Sequence, residues 1–123
     1  MRRLGAIMET LEAGRCALSL PYSGEVTQQH GFFHGGVIGA LADTAGGYAA
    51  MTAMPDAEDV LALEYKINFL RPALGERLVA EGNVLRSGRS VTVVRVDVFA
   101  EKDGARSLCA ASQQSIVAAP GRA

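Results

Sequence analysis

From Leu61 onward the chain alternates. Leu61, Leu63, Tyr65, Ile67 and Phe69 take the odd positions, and Glu64, Lys66 and Asn68 fill even positions between them. A period of two marks a strand with one buried face, because successive side chains of an extended backbone point to opposite sides. The same rhythm returns where Val94, Val96 and Val98 alternate with Arg95, Asp97 and Phe99. Leu78 to Leu85 predicts a further strand, and Leu108 to Val117 a last one with weaker alternation. Pro72 to Gly75, Ser87-Gly88 and Asp103-Gly104 supply the turns, the last a hairpin signal. Upstream, Cys16 to Leu20 predicts one more strand, stopped by Pro21 and a Ser23-Gly24 turn. The residues before Gly14 predict a short helix.

Residues 35–54 break the rhythm. They are apolar on every side, close at Pro55, and carry one charge, Asp43. Their length approaches the ~20 residues of a spanning helix. Ala and Gly dominate, however, and the flank Asp56, Glu58 and Asp59 is acidic, without the Lys/Arg bias of an anchor. The segment therefore predicts a helix buried in protein, with no membrane association. Short turns imply antiparallel neighbours, and this helix is the one long apolar element able to cover a sheet face. The expected fold class is α+β, an antiparallel sheet wrapped on one central helix, as a single domain over residues 1–123. Gly35, Gly36, Gly39, Gly46 and Gly47 would let the helix approach a curved sheet closely.

Charge and cysteines narrow the classes. A net charge of -1 offers no basic surface for nucleic acid. Cys16 and Cys109 form no CxxC and imply no disulfide framework. No apolar stretch follows Met1-Arg2-Arg3-Leu4, so a cytoplasmic location is expected.

The candidate chemistry lies in "QQHGFFHGGVIGALADTAGGYAA". Gly35 and Gly36 stand where a loop becomes the helix. First-turn N–H groups lack intrahelical partners, and the macrodipole adds positive potential there. Such a terminus can hold an anion or a developing oxyanion, or the glycines can simply make a tight turn. Asp43 is a carboxylate in an apolar helix, which is costly unless paired or used. It is either a site residue or a satisfied structural acid. Eight residues separate it from Gly35, about 12 Å along a helix axis. Reacting groups need contact at roughly 3–3.5 Å. If both are catalytic, the acid comes from another subunit, which points to a dimer with sites at its interface. His34 can act as base, ligand or loop-fixing hydrogen-bonder. A His30–His34 metal pair is disfavoured because Gly31, Gly35 and Gly36 argue against a helix through both. Gln28 and Gln29 supply amides able to hold a carbonyl or a water. Arg86-Ser87-Gly88-Arg89-Ser90 suits phosphate contact by guanidinium and backbone N–H groups, or is a solvated turn. Cys109 has no nearby His in sequence, which argues against a thiol nucleophile.

The run "HGFFHGGVIGALADTAGGYAA", followed by "EYKINFLRPALGE" and "VLRSGRS", resembles the hotdog-fold acyl-CoA thioesterases of the PaaI-like branch, from about Gly14 to Val117. The resemblance implies a long helix wrapped by an antiparallel sheet, and dimers with shared active sites, paired into homotetramers. It implies that the Gly35 N–H polarises a thioester carbonyl and that Asp43 of the partner subunit acts as general base or nucleophile. His34 would orient the loop. Gln28 matches a position near the thioester or attacking water, where relatives often carry Asn. Gly36 and Phe69 would lie near the ligand, and Arg86, Ser87, Gly88, Arg89, Ser90 and Val91 would contact coenzyme A. Ala62 departs from the pattern, standing where many relatives have Ser or Thr. The expected function is hydrolysis of an aryl, arylacetyl or short-to-medium acyl-CoA, without metal or other cofactor, coenzyme A being part of the substrate. A non-catalytic acyl-CoA-binding module and a hotdog hydratase or dehydratase are the alternatives.

Overall fold

In a computed structural model, which describes residues 1, 4–24, 26–27, 31–54, 57 and 59–119, the chain forms six strands and one helix. Their order is β1 (Ile7–Glu12), β2 (Arg15–Pro21), α1 (Gly35–Thr52), β3 (Val60–Phe69), β4 (Arg77–Ser87), β5 (Thr92–Lys102) and β6 (Ala105–Ala118). All strands pair antiparallel in one sheet, ordered β1-β2-β4-β5-β6-β3. This is the α+β architecture expected from the pattern. The β5–β6 hairpin turns on Asp103 and Gly104, both at positive φ (51° and 76°), as a primed two-residue turn requires. Among the described residues no helix is long and apolar enough to cross a membrane.

One element differs from expectation. The segment before Gly14 is strand β1, not a helix. Ile7, Met8 and Leu11 have helical spacing, but pairing with β2 wins, from Ile7↔Ser19 to Glu12↔Arg15 around a turn in which Gly14 holds φ +75°. Ile7 and Leu11 stay half exposed, so the backbone ladder rather than side-chain burial holds this strand.

The core lies between α1 and the inner sheet face. Leu18, Leu20, Leu78, Ala80, Val94, Val96, Val98 and Ile116 meet Ile38, Leu41, Ala42, Ala45 and Ala49 of the helix. The helix face is built from small residues, so its backbone comes down on the sheet. At Gly82 of β4 an added Cβ would sit 3.0 Å from the Ala45 carbonyl oxygen. The outer face is charged instead: Glu9, Arg77, Glu101, Arg106 and Glu81 form a chain of ion pairs across four strands. Hydrogen bonds from Arg77 and then Arg106 hold the Glu101 carboxyl below its ordinary value. Pairs this exposed add little stability each.

β3, like β1, is little buried. It closes one end of the sheet, with a free edge beyond it. From Tyr65 on its odd side chains turn toward α1 as the alternation predicts, the Tyr65 hydroxyl and the Phe69 ring approaching Gly39 and Gly35. A bulge between Ala62 and Glu64 shifts the register, so that Val60 and Ala62 rather than Leu61 face the helix. Yet Leu61, Leu63, Tyr65 and Phe69 remain 49–59% exposed, because helix and sheet both end there. The buried face expected for this strand is not covered by its own chain.

The close approach at Gly82 gives a stability prediction. Gly82→Val should lift α1 from the sheet and cost about 1–3 kcal/mol, the usual range for overpacking. Asn83→Ala on the exposed side should stay within about 0.5 kcal/mol. Urea midpoints of the two variants check this.

Candidate functional site

The N-terminus of α1 is set by main-chain bonds. Phe33 N–H donates to the Ala73 carbonyl (2.9 Å) and His34 N–H to that of Val26 (3.0 Å). Phe33 is buried, with the Tyr22 ring edge-on to it at 6.0 Å. His34 is the N-cap residue, extended at φ −61°, ψ 137°, and its exposed side chain makes no capping bond. The first-turn N–H groups of Gly35 and Gly36 therefore have no partner among the described residues. Gly35 borders a cleft of about 460 Å³ that is also lined by Phe32, Phe33, Ile38, Phe69 and Pro72. A Cβ on Gly35 would touch the Phe69 ring at 3.4 Å, so glycine keeps the approach to the N–H open. Gly35 and Phe69 are thus brought together, with His34 and Gly36 beside Gly35 in the chain but not among the residues that line the cleft. Gln28, with Gln29 and His30, lies outside the described residues.

Asp43 sits two turns further along α1, half-buried. Among the described residues it is bonded neither to a helix hydroxyl nor to the backbone. Thr44 turns its hydroxyl back to the Ala40 carbonyl. The Asp43 Oδ1 instead accepts a 2.6 Å bond from Nε2 of Gln114 on β6. Gln114 is fully buried, and its Oε1 has no partner among the described residues. An orphaned buried acceptor costs about 1–3 kcal/mol. The sequence reading missed this partner. Its signal was the weak alternation of the last strand: Ala110, Ser112, Gln114 and Ile116 all face inward, and two polar residues in that row blur it.

Asp43 opens into a second cleft, about 430 Å³, with Gly47, Val60, Leu61, Ala62 and Ile116. Ala62 is therefore at the site, and brings no hydroxyl to it. The helix runs antiparallel to β3, with Gly35 at Phe69, Gly39 at Tyr65, Asp43 at Ala62 and Gly47 at Val60. In one chain the Gly35 N–H and the Asp43 carboxylate lie toward opposite ends of the β3 edge, in clefts that share no residue.

Arg86 to Val91 form the end of β4 and its turn into β5, closed by Gly88 N–H donating to the Val91 carbonyl (2.9 Å). Ser87, Gly88, Arg89 and Ser90 line a cleft of about 290 Å³ with Ala53, Met54 and Ala118. It lies at the C-terminal end of α1, opposite the end that carries Gly35. Arg86 and Arg89 form no ion pair among the described residues. Among the described residues no three His, Cys, Asp or Glu side chains converge as metal ligands would. Cys16 and Cys109 are buried, and burial pushes both thiols up to about 11.

Comparison with known proteins follows this geometry. The family described as the thioesterase superfamily matches residues 30–107, more than half of the chain. A provisionally named esterase of Saccharolobus solfataricus is 44% identical over 94 residues, which cover 76% of this chain and 66% of that protein. A thioesterase family protein from Silicibacter pomeroyi superposes with a TM-score of 0.94 at 40% identity, covering 98% of this chain and 89% of the other. The PaaI protein of E. coli, at 22% identity, shares the fold, with a TM-score of 0.85 over 98% of this chain and 83% of its own.

The raised thiols carry a prediction of their own. At pH 8 roughly a thousandth of each thiol is ionised, and only the thiolate reacts. The native protein should take up no alkylating reagent at either cysteine, and two equivalents once unfolded in guanidinium, as read by mass spectrometry.

Proposed function

The chain belongs to the thioesterase superfamily, a family of thioester hydrolases with the hotdog fold, and we propose that it hydrolyses acyl-CoA at a site shared between two copies. One observation carries this reading. The oxyanion donors at Gly35 and the carboxylate of Asp43 lie at opposite ends of an apolar edge strand that its own chain leaves exposed. An antiparallel pairing of β3 with β3 of a second copy, about a two-fold axis near Tyr65, sets Phe69 of one chain beside Ala62 of the other. That brings the Gly35 cleft of one chain to Asp43 of its partner. It also covers Leu61, Leu63, Tyr65 and Phe69.

Within such a site the roles follow from the chemistry. The Gly35 N–H, supported by Gly36 and the helix macrodipole, polarises the thioester carbonyl. Asp43 takes a proton from water as the water oxygen attacks the carbonyl carbon, or attacks that carbon itself to form a mixed anhydride that water then hydrolyses. The carbon–sulfur bond breaks, the thiolate of coenzyme A takes up the proton, and a carboxylic acid remains. Arg86 and Arg89, with the Gly88 turn, suit the phosphates of coenzyme A. Phe32, Phe69 and Ile38 offer an apolar wall to the acyl or aryl group. His34 fixes the loop through its main chain, since its backbone N–H holds the Val26 carbonyl. No step of this scheme calls on a metal or redox cofactor.

Ala62 favours one alternative, an acyl-CoA-binding module, because it supplies no hydroxyl to place the water. Free-thiol release over a panel of aryl, arylacetyl and straight-chain acyl-CoAs separates the two. The wild type should release thiol, and folded Asp43→Asn should lose about 10²- to 10⁴-fold in kcat, the range for general-base catalysis. No release from any acyl-CoA, with binding intact by calorimetry, would establish the binding module instead.

A further inference from the structure

We propose that Gln114 is the positioning residue for Asp43, an amide that fixes one carboxylate oxygen so that the other is presented to the water or thioester. The inference rests on the hydrolase reading above and concerns a residue outside the helix and loop motif. Gln114 is 1% exposed on the inner face of β6, paired with Tyr65 of β3 on one side and Val94 of β5 on the other. Its Nε2–H donates to Asp43 Oδ1 at 2.6 Å, and among the described residues no other side chain bonds that carboxylate.

The amide has one tolerable orientation. Its Oε1 points at Gly46, one turn beyond Asp43 on the same helix, where a Cβ would collide with it and lie 3.2 Å from Val96 Cγ2. Turned over, the amide would set its carbonyl oxygen against the carboxylate, two acceptors without a proton between them. It would also aim its N–H groups at a glycine carrying no acceptor side chain. The observed orientation leaves Oε1 unpaired in the core, so the bond to Asp43 decides which way the amide faces. Gln114 and Gly46 thus form one device: the strand supplies the donor, and the missing side chain on the helix makes room for it. Asp43 has two rotatable side-chain bonds and borders a cleft whose other neighbours, Gly47, Val60, Leu61, Ala62 and Ile116, have no polar side chain to hold it. With Oδ1 held on the strand side, Oδ2 is left for the cleft.

Steady-state kinetics of Gln114→Met test this, since methionine keeps the length and loses the donor. In a folded variant kcat should fall about 10- to 100-fold, the scale of a misplaced reacting group, with KM within about threefold. In an Asp43→Asn background the same substitution should change the residual rate by less than about twofold, because its effect passes through Asp43. Gly46→Ala, which displaces the amide from the helix side, should give the same split between kcat and KM, and carries the test if Gln114→Met does not fold. Wild-type kcat in a folded Gln114→Met, or an equal loss in the Asp43→Asn background, would overturn the inference. A wild type active on acyl-CoA, with Asp43→Asn inactive and Gln114→Met active, would overturn this role alone. A wild type without thiol release would overturn the hydrolase reading with it.

Discussion

The chemistry of this protein depends on how closely α1 lies against its sheet. Ala42, Ala45, Ala49 and Ala50 are fully buried on the helix, and Gly46 and Gly82 remove the side chains that would hold helix and strand apart. Alanine and glycine contribute little apolar area each, so the core gains its larger share from Leu18, Leu20, Leu78 and the valines of β5. What the small residues provide is distance. A carboxylate on a short side chain can meet a strand residue at 2.6 Å only where the two backbones nearly touch. A Leu or Met face on the same helix would lift Asp43 away from Gln114 and leave a charge in an apolar wall with no donor.

The second constraint is the edge of the sheet. β3 offers unpaired backbone groups beside Leu61, Leu63, Tyr65 and Phe69, which a lone chain would expose as a template for association. The opposite edge, β1, carries Glu9 and Glu12 and is tied by Arg77 to the charged outer face. The two edges are thus unlike: one is guarded by charge, the other is apolar and flanked by both clefts. The proposed pairing of a second copy along β3 would answer both demands, catalytic geometry and edge protection.

Much of this was legible in the sequence because alternation reports the face of a strand and an all-round apolar run reports a buried helix. The β4–β5 and β5–β6 hairpins and the bounds of α1 follow from those signals and from their turn residues. The turn from Pro72 to Gly75 does not make neighbours of β3 and β4, because β3 pairs with β6 at the end of the sheet. Two readings failed for a common reason. Ile7, Met8 and Leu11 matched a helix, and the odd residues of β3 matched a buried face, yet both depend on which neighbour is present rather than on local pattern. β1 is decided by the free edge of β2, and β3 by a bulge between Ala62 and Glu64 and by the lack of a covering element among the described residues. At the site, Gly35, Gly36 and Asp43 stood out as a glycine pair and a lone acid in one motif. Gln114 did not, because a single polar residue in a strand carries no sign of its partner 71 positions away.

The central claim is that one catalytic site draws Gly35 from one chain and Asp43 from another. Mixing two inactive chains tests it directly. Asp43→Ala removes the acid. Gly35→Pro removes the N–H with little strain, because proline suits the first helical position and His34, at ψ 137°, already has the extended backbone a proline requires of its predecessor. Each chain alone should be nearly inactive. After subunit exchange, equal amounts should regain roughly a quarter of wild-type thiol release, since half of the dimers are mixed and each has one intact site of two. A mixture no more active than its parents, with exchange demonstrated by native mass spectrometry, would contradict the shared site.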